Sequence, residues 1–584
     1  MKPACVPCHW RFAEADPGQV ARLVAELGIS RTTAQVLVAR GYQEPEAARR
    51  FLYPSLQDLH DPLGLEGMAA ALARLKQALA AREPLLLYGD YDADGATSLA
   101  MLYKAIELAG HQASIYVPHR LRQGYGLHME AVEQAASQGI RLLISLDTGV
   151  RALAPIQRAR QLGLDVIVVD HHLPDSELPP AAAIVNPRQP NCSYPDKNLC
   201  AAGLTFKLIQ LLLGSLGWPP PRLERLLSSF LKLAAIGTVA DVAPLTGENR
   251  VIVKYGLEGL RSVRNAGLRE LLRVAGFTEG EALTAEQVAF RLAPRLNAAG
   301  RMADALEAVR LLLTDDEAQA REIAARLQAW NQLRQEAEVQ IIQQVLEQCL
   351  RTPVTEDQAA LVFSAPAYHR GVVGIVAARL VERFHRPVFV LGEDPAEGVA
   401  EGSGRSIPRF HLVEALEAMP DLFLRYGGHR QAAGVALPLE RVEEFRRRLN
   451  QYAAARLKPE DFRPSLELDG TLELGDLDDG TIAELLALAP FGHGNPPPLL
   501  AIVGAEVAGP ATLFKERHLR FTLRQGRNSL TVKAWDFAQR AAQIQPGALV
   551  DVAVNIEADP FAAARGYPGW SATVRDLRPS QQTV

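Results

Sequence analysis

Residues 85–98 read LLLYGDYDADGATS. Leu85 to Tyr88 suit a buried strand, and Asp90, Asp92 and Asp94 then place three carboxylates within five residues. Alternate residues of an extended segment point to the same side, so Asp92 and Asp94 share a direction while Ala93 turns away. Gly95 allows a tight turn into a helix that begins ATSLAMLYKAIELAG. Two readings of these acids stand side by side: a turn and helix N-cap, or a set of ligands for a hard cation.

The surrounding sequence widens the second reading. Between residues 84 and 186 the runs PLLLY, ASIYVP, RLLISLD, DVIVVD and AAAIVN alternate with helical stretches. Continuous apolar strands separated by helices predict an α/β fold with an open, doubly wound parallel sheet covered on both faces. Loops at the carboxyl ends of such strands face the ligand crevice. Asp147 ends RLLISLD, Asp170 ends DVIVVD, and His171 and His172 follow it. Asp241 closes the apolar run FLKLAAIGTVAD, where a carboxylate without a partner would be costly. Any one strand-end acid is commonly a cap, and paired histidines are commonly half buried and hydrogen bonded; the gathering of all of them at strand ends favours ligands. Carboxylates with one or two imidazoles suit Mg²⁺ or Mn²⁺, and two divalent cations answer the crowding of charge.

Further along, residues 201–310 read as helices. The segment 315–350 lacks Gly and Pro, carries the pairs Glu317/Arg321 and Glu322/Arg326, and predicts one long helix connecting two domains. A second, smaller α/β unit runs to about residue 456, and after LKPEDFRPS short strands predict a small barrel or sandwich. There Lys515, Arg517, Arg520, Arg524, Arg527 and Lys533 stand against the single local acid Glu516, with Phe514, Phe521 and Trp535 interleaved. Such a strand either binds unpaired bases or is a solvated face over core aromatics. The expected divisions are 1–60 helical, 61–314 catalytic, 315–352 connecting helix, 353–456 smaller α/β and 457–584 barrel.

A chain of 584 residues exceeds one ordinary core. Its 48% hydrophobic and 22% charged residues are those of a folded soluble protein, and no apolar run approaches the roughly 18 residues of a membrane span. The start MKPACVPCHWRF lacks a secretory h-region and five cysteines cannot form a dense disulfide framework, so a cytoplasmic location is expected. Cys5 and Cys8 form a CxxC with no second half at zinc spacing, and are read as incidental thiols. The net charge of −5 leaves nucleic-acid binding to a local basic patch.

The segments DYDADG, SLDTG, VVDHH and TVADVAPL resemble the four motifs of the DHH phosphoesterase superfamily. Within it the chain is more similar to the single-strand-specific DNA exonucleases than to the short pyrophosphatases or oligoribonucleases. RLRQGYGL (120–127), PRLNAAGRM (294–302), HRGVVGIVAARL (369–380), GSGRS (402–406), GGHRQAAG (427–434) and FGHGNPPP (491–498) carry that likeness across nearly the whole chain.

The resemblance implies a DHH catalytic domain, a DHHA1-type substrate-binding domain and an OB-like barrel. It makes Asp92, Asp94, Asp147, His171 and Asp241 ligands of two cations, Mn²⁺ or Mg²⁺, with Asp147 bridging. His172 would face the scissile phosphate and Asp170 would support the histidines. Many members carry a histidine four residues before the first paired Asp; here that residue is Tyr88, with Asp90 or water as substitute. The implied reaction is two-metal hydrolysis from the 5′ end, releasing 5′-mononucleotides in DNA repair and recombination. Arg120, Arg301, Ser403 and Arg405 are candidates for the terminal phosphate, and His429 for a further phosphate contact. Lys515, Arg520 and Arg524 are the barrel's candidates for single-stranded DNA. A single-strand-binding protein and a helicase are the partners implied, and a monomer is expected.

Overall fold

The computed structural model describes residues 8–120, 122–355, 357–563 and 565–580, so Cys5 lies outside the described residues. The chain divides into two compact units. One is Pro54–Glu336 with Pro490–Pro496; the other joins the chain up to Tyr53 with Ala337–Ala489 and the chain from Pro497.

In the first unit five parallel strands lie in the order Ala113–Tyr116, Leu85–Gly89, Leu142–Leu146, Asp165–Val169 and Ala183–Val185. All five residues of Leu85–Gly89 and of Leu142–Leu146 are buried, which is why they read as unbroken apolar runs. Side-chain alternation assigns the two faces. Leu85, Leu87, Ile144 and Ile167 pack against helices Ala93–Leu108, Ala201–Gly214 and Pro220–Ala240. Leu86, Tyr88, Leu143 and Val166 pack against helices Met129–Ser137 and Leu153–Gln161. The helix predicted over 315–350 is observed as Glu317–Arg351, and the division between units falls within it, between Glu336 and Ala337.

The second unit holds two larger sheets besides a two-stranded one. One is mixed, in the order Arg425–Gly428, Ala432–Pro438, Val399–Arg405, Val388–Asp394 and Leu361–Ala365. In the other, strands Leu499–Val507, Leu549–Ala558, Trp570–Pro579, Asn528–Ala534 and His518–Gln525 pair in succession, and the last pairs again with the first. That extra pairing closes a five-stranded barrel, the OB architecture.

The N-terminal residues, expected to be helical, hold helices Pro17–Leu27, Arg31–Ala39 and Pro45–Leu52, preceded by a short strand. Strand His9–Phe12 pairs in parallel with Ser465–Leu468, Trp10 Nε1 donates to Asp576 at 2.8 Å, and Arg40 grips Asp469 at 2.8 Å, all within the second unit. No helix among the described residues is long and apolar enough to cross a membrane.

Candidate metal centre

The capping reading of the opening acids holds, and it leaves oxygens over for the ligand reading. Asp92 caps helix Ala93–Leu108, one carboxylate oxygen accepting from the Asp94 amide at 2.9 Å and the Gly95 amide at 3.1 Å. The cap uses Oδ1 only. Asp94, in the first turn, is held by a different helix: the Ala201 and Ala202 amides, at the start of Ala201–Gly214, donate to its two oxygens at 2.9 and 2.8 Å. These amides are helix-terminal donors with no partner in their own helix, so a buried carboxylate satisfies them. Gly95 is required by space, since a Cβ there would lie 2.5 Å from the Asp90 carbonyl oxygen.

Asp147 follows its strand with φ of 64°, and Val242, directly after Asp241, has φ of 59°. Left-handed backbone is strained for these residues, above all for β-branched Val242, and such strain collects at functional sites. Here the strained positions are Asp147 itself and the residue that follows Asp241.

Three overlapping groups of potential ligand atoms result: Asp90, Asp92 and Asp147; Asp94, His171 and Asp241; and Asp147, His171 and His172. His171 Nε2 stands 3.2 Å from Asp147 Oδ1, 3.8 Å from Asp241 Oδ2 and 4.0 Å from Asp94 Oδ2. Buried Asp90 Oδ1, Asp147 Oδ1 and His171 Nε2 have no hydrogen-bond partner among the described residues. Orphaned buried polar atoms aimed at one another are what bound cations would complete. The electrostatics agree. Burial, and then the charge of Asp92, pushes Asp147 and Asp90 well above the usual carboxylate range and Asp94 up to about 7. Burial, then Asp94 and Asp92, pushes Asp241 up to about 9, and burial with neighbouring His172 pulls His171 down to about 3. Without countercharge this cluster resists ionising; a neutral imidazole among oxygen donors suits a divalent cation.

Asp170 works from behind. Burial would raise it, yet the hydrogen bond and charge of His172 outweigh burial and bring it to about 2. It accepts from the Val150 amide at 3.0 Å, the His172 amide at 3.1 Å and His172 Nδ1 at 2.7 Å. Burial opposes the His172 imidazolium, but Asp170 prevails and raises its pKa. An ionised Asp170 places the ring proton on Nδ1, and Tyr125 Oη, which donates to the Asp147 carbonyl at 3.1 Å, lies 3.0 Å from that same nitrogen.

The remaining expected residues fall into several places. Tyr88 sends its hydroxyl to the Gly126 carbonyl at 2.7 Å and stacks on Tyr116, while Asp90 lies among the potential ligand atoms. Arg120 lies over the Tyr91 ring at 4.6 Å, and the charges of both Arg120 and Arg301 act on Tyr91, beside Asp90. In the second unit Arg405 Nη1 donates to Ser403 Oγ at 2.8 Å, and both side chains lie against Gly374 in the first turn of helix Val373–Phe384. His429 is exposed between strands Arg425–Gly428 and Ala432–Pro438.

On the barrel, Lys515 and Arg520 have no acid partner among the described residues, whereas Arg524 pairs with Glu506 at 2.8 Å, Lys533 with Asp559 at 2.7 Å and Arg517 with Asp536 at 3.3 Å. The basic run is therefore partly neutralised by acids distant in sequence. Phe521 is buried with Leu519 and Leu523, which removes it as a stacking surface. Trp535 and Phe514 remain, their rings 5.5 Å apart, with the His518 ring in contact with both. Sequence reasoning missed Tyr125, Asn186, which donates to the His172 carbonyl at 2.9 Å, and Asn297, which accepts from the Ala93 amide at 2.8 Å. All three lie in or beside segments noticed for other residues.

Comparison with known proteins agrees with this layout. The DHH family, N-terminal domain, matches residues 84–238, the DHHA1 domain 357–455 and the RecJ OB domain 468–566. The single-stranded-DNA-specific exonuclease RecJ of Bacillus subtilis (strain 168) is 39% identical over 545 residues, 93% of this chain and 68% of that protein. The crystal structure of RecJ in complex with Mn²⁺ from Thermus thermophilus matches with a TM-score of 0.82 at 33% identity, over 98% of this chain and 80% of that one. RecJ in complex with Mg²⁺ from the same organism gives 0.76 at 32% identity, over 98% and 79%. A parallel sheet with strand-end acids and the paired histidines, together with DHHA1 and OB domains, defines a protein of the DHH class. At this identity and coverage the chain belongs to the RecJ family.

Proposed function

We propose that this chain is a metal-dependent exonuclease that degrades single-stranded DNA from the 5′ end, releases 5′-mononucleotides and serves DNA repair and recombination. The observation that carries the reading is the convergence of Asp90, Asp92, Asp94, Asp147, His171 and Asp241 from four separate chain segments, in a protein whose relatives are named for this activity. Asp90, Asp92 and Asp147 would hold one divalent cation, and Asp94, His171 and Asp241 the other. Bound there, the pair supplies positive charge to the scissile phosphate and lowers the pKa of water at the site.

The chain's own residues do the rest. Asp170 fixes the His172 ring and favours its charged form, so that Nε2–H is left to donate to a phosphate oxygen. Arg120 and Arg301 flank Tyr91 beside the Asp90 group, where guanidinium forks suit a terminal phosphate. Ser403, Arg405 and His429 are assigned as further phosphate contacts, the first two by their place at a helix N-terminus. Lys515 and Arg520 would neutralise the strand's backbone while Trp535 and Phe514 stack on its bases; Arg524, already paired, contributes less. A cytoplasmic monomer that works with a single-strand-binding protein and a helicase completes the proposal.

Digestion of 5′-phosphorylated, end-labelled single-stranded, duplex and overhang substrates with Mn²⁺ or Mg²⁺ tests this reading. Mononucleotides should appear from the 5′ end of single strands alone. Cleavage confined to dinucleotides or pyrophosphate would overturn it, as would DNA binding without any hydrolysis.

A further inference from the structure

The first turn of helix Ala93–Leu108 carries the amides that shape the cation-binding loop. Asp92 satisfies two of them, those of Asp94 and Gly95, and the Ala96 amide returns to the Asp92 carbonyl at 2.8 Å. The Ala93 amide is left over. It lies between two proposed ligands, and its acceptor is Asn297 Oδ1 at 2.8 Å, from a residue 204 positions away. An Asn in helix Ala293–Met302 thus finishes the cap of a helix far from it in sequence.

A second contact from the same helix is independent of that hydrogen bond. A Cβ on Gly300 would lie 2.6 Å from the Tyr91 carbonyl oxygen, so the helix presses against the backbone joining Asp90 to Asp92 with no room to spare. One turn of helix therefore touches the loop on both sides of Asp92. The cation group formed by Asp90, Asp92 and Asp147 is made of carboxylates only, and its ligand spacing depends on how that backbone is held.

We propose that Asn297 is a positioning residue: by holding the Ala93 amide, and with Gly300 backing Tyr91, it sets the affinity of the Asp90–Asp92–Asp147 group for a divalent cation. The proposal rests on the metal assignment above. Groups that orient metal ligands typically change affinity by about 10- to 100-fold when removed.

Electron paramagnetic resonance of free Mn²⁺ during titration of the full-length protein provides the test. The unaltered chain should bind two Mn²⁺. Asn297→Ala should weaken one of the two by about tenfold or more and leave the other in place. Excess Mn²⁺ should restore its turnover, which a general folding defect would not allow. Asn297→Asp keeps the acceptor oxygen and should bind within a few-fold of the unaltered chain. Gly300→Ala, which removes no hydrogen-bonding group, should weaken the same site. If Asn297→Ala does not fold, Asn297→Asp and Gly300→Ala carry the comparison. Unchanged Mn²⁺ binding in Asn297→Ala or Gly300→Ala overturns the clamp alone; no Mn²⁺ binding by the unaltered chain overturns the metal assignment with it.

Discussion

Asp147 is buried, held at a left-handed backbone angle, and faced by the charges of Asp92, Asp94, Asp90 and Asp241. Its cost to the fold and its value to the site have one origin. Cations bound only by the folded state stabilise it, by about 2.7 kcal/mol at a hundredfold excess over Kd. Chelation with EDTA should therefore lower the melting temperature of the unaltered protein. Asp147→Asn should melt higher than the unaltered chain in EDTA, gain little from Mn²⁺, and lose roughly a hundredfold or more of cleavage rate. Scanning fluorimetry with and without Mn²⁺, beside a cleavage assay, checks all three. A variant that still gains the full Mn²⁺ stabilisation would remove Asp147 from the ligand set.

At the scale of elements, helix Leu306–Leu313 is fastened to the long helix through Glu307, which accepts from Arg310 at 2.8 Å and is gripped by Arg326. Burial would raise the Glu307 pKa, but the arginine hydrogen bonds outweigh it and hold it below its ordinary 4.5. A depressed carboxylate stabilises the fold fully above its unfolded pKa and loses that contribution as pH falls through the folded value. Glu307→Gln should then cost about 1 kcal/mol at neutral pH, a modest figure because the cluster is partly solvated. The difference should shrink as the pH falls below 4.5 and through the lower folded value. Urea unfolding of both proteins across that range checks the sign; a gap that widens on acidification would contradict it.

How much of these elements the sequence displayed depends on how local their causes are. The central parallel strands were legible because burial on both faces leaves unbroken apolar runs, and the long helix because 315–350 contains no breaker. The strand-end acids were legible for a related reason, since parallel strands bring their carboxyl ends to one edge whatever lies between them. The strand His9–Phe12 was not, because its partner Ser465–Leu468 lies over 450 residues away. Distance likewise hid Asn297 from Ala93, and Asp559 was hidden from Lys533 because polar pairs leave no periodic trace. For Phe521 the sequence held the deciding signal between the two open readings: Leu519, Phe521 and Leu523 share one strand face, and that parity marks core.

For the molecule as a whole, catalysis and strand binding are assigned to different units, so they should separate by mutation. Trp535 is 43% exposed and braced by Phe514 and His518, the arrangement of a stacking platform rather than a core residue. Trp535→Ala should weaken binding of a fluorescent single-stranded oligonucleotide by about 1–3 kcal/mol while leaving Mn²⁺ binding unchanged. Anisotropy titration measures the first quantity, and an unaltered affinity would return the basic strand to the status of a solvated face.

The central claim is that two cations sit among carboxylates and an imidazole supplied by loops far apart in sequence. Anomalous diffraction at the manganese edge, from crystals grown with Mn²⁺, tests it most directly. Two peaks are expected, one enclosed by Asp90, Asp92 and Asp147 and one by Asp94, His171 and Asp241. Density with no peak between those side chains, or manganese bound only elsewhere, would contradict the account.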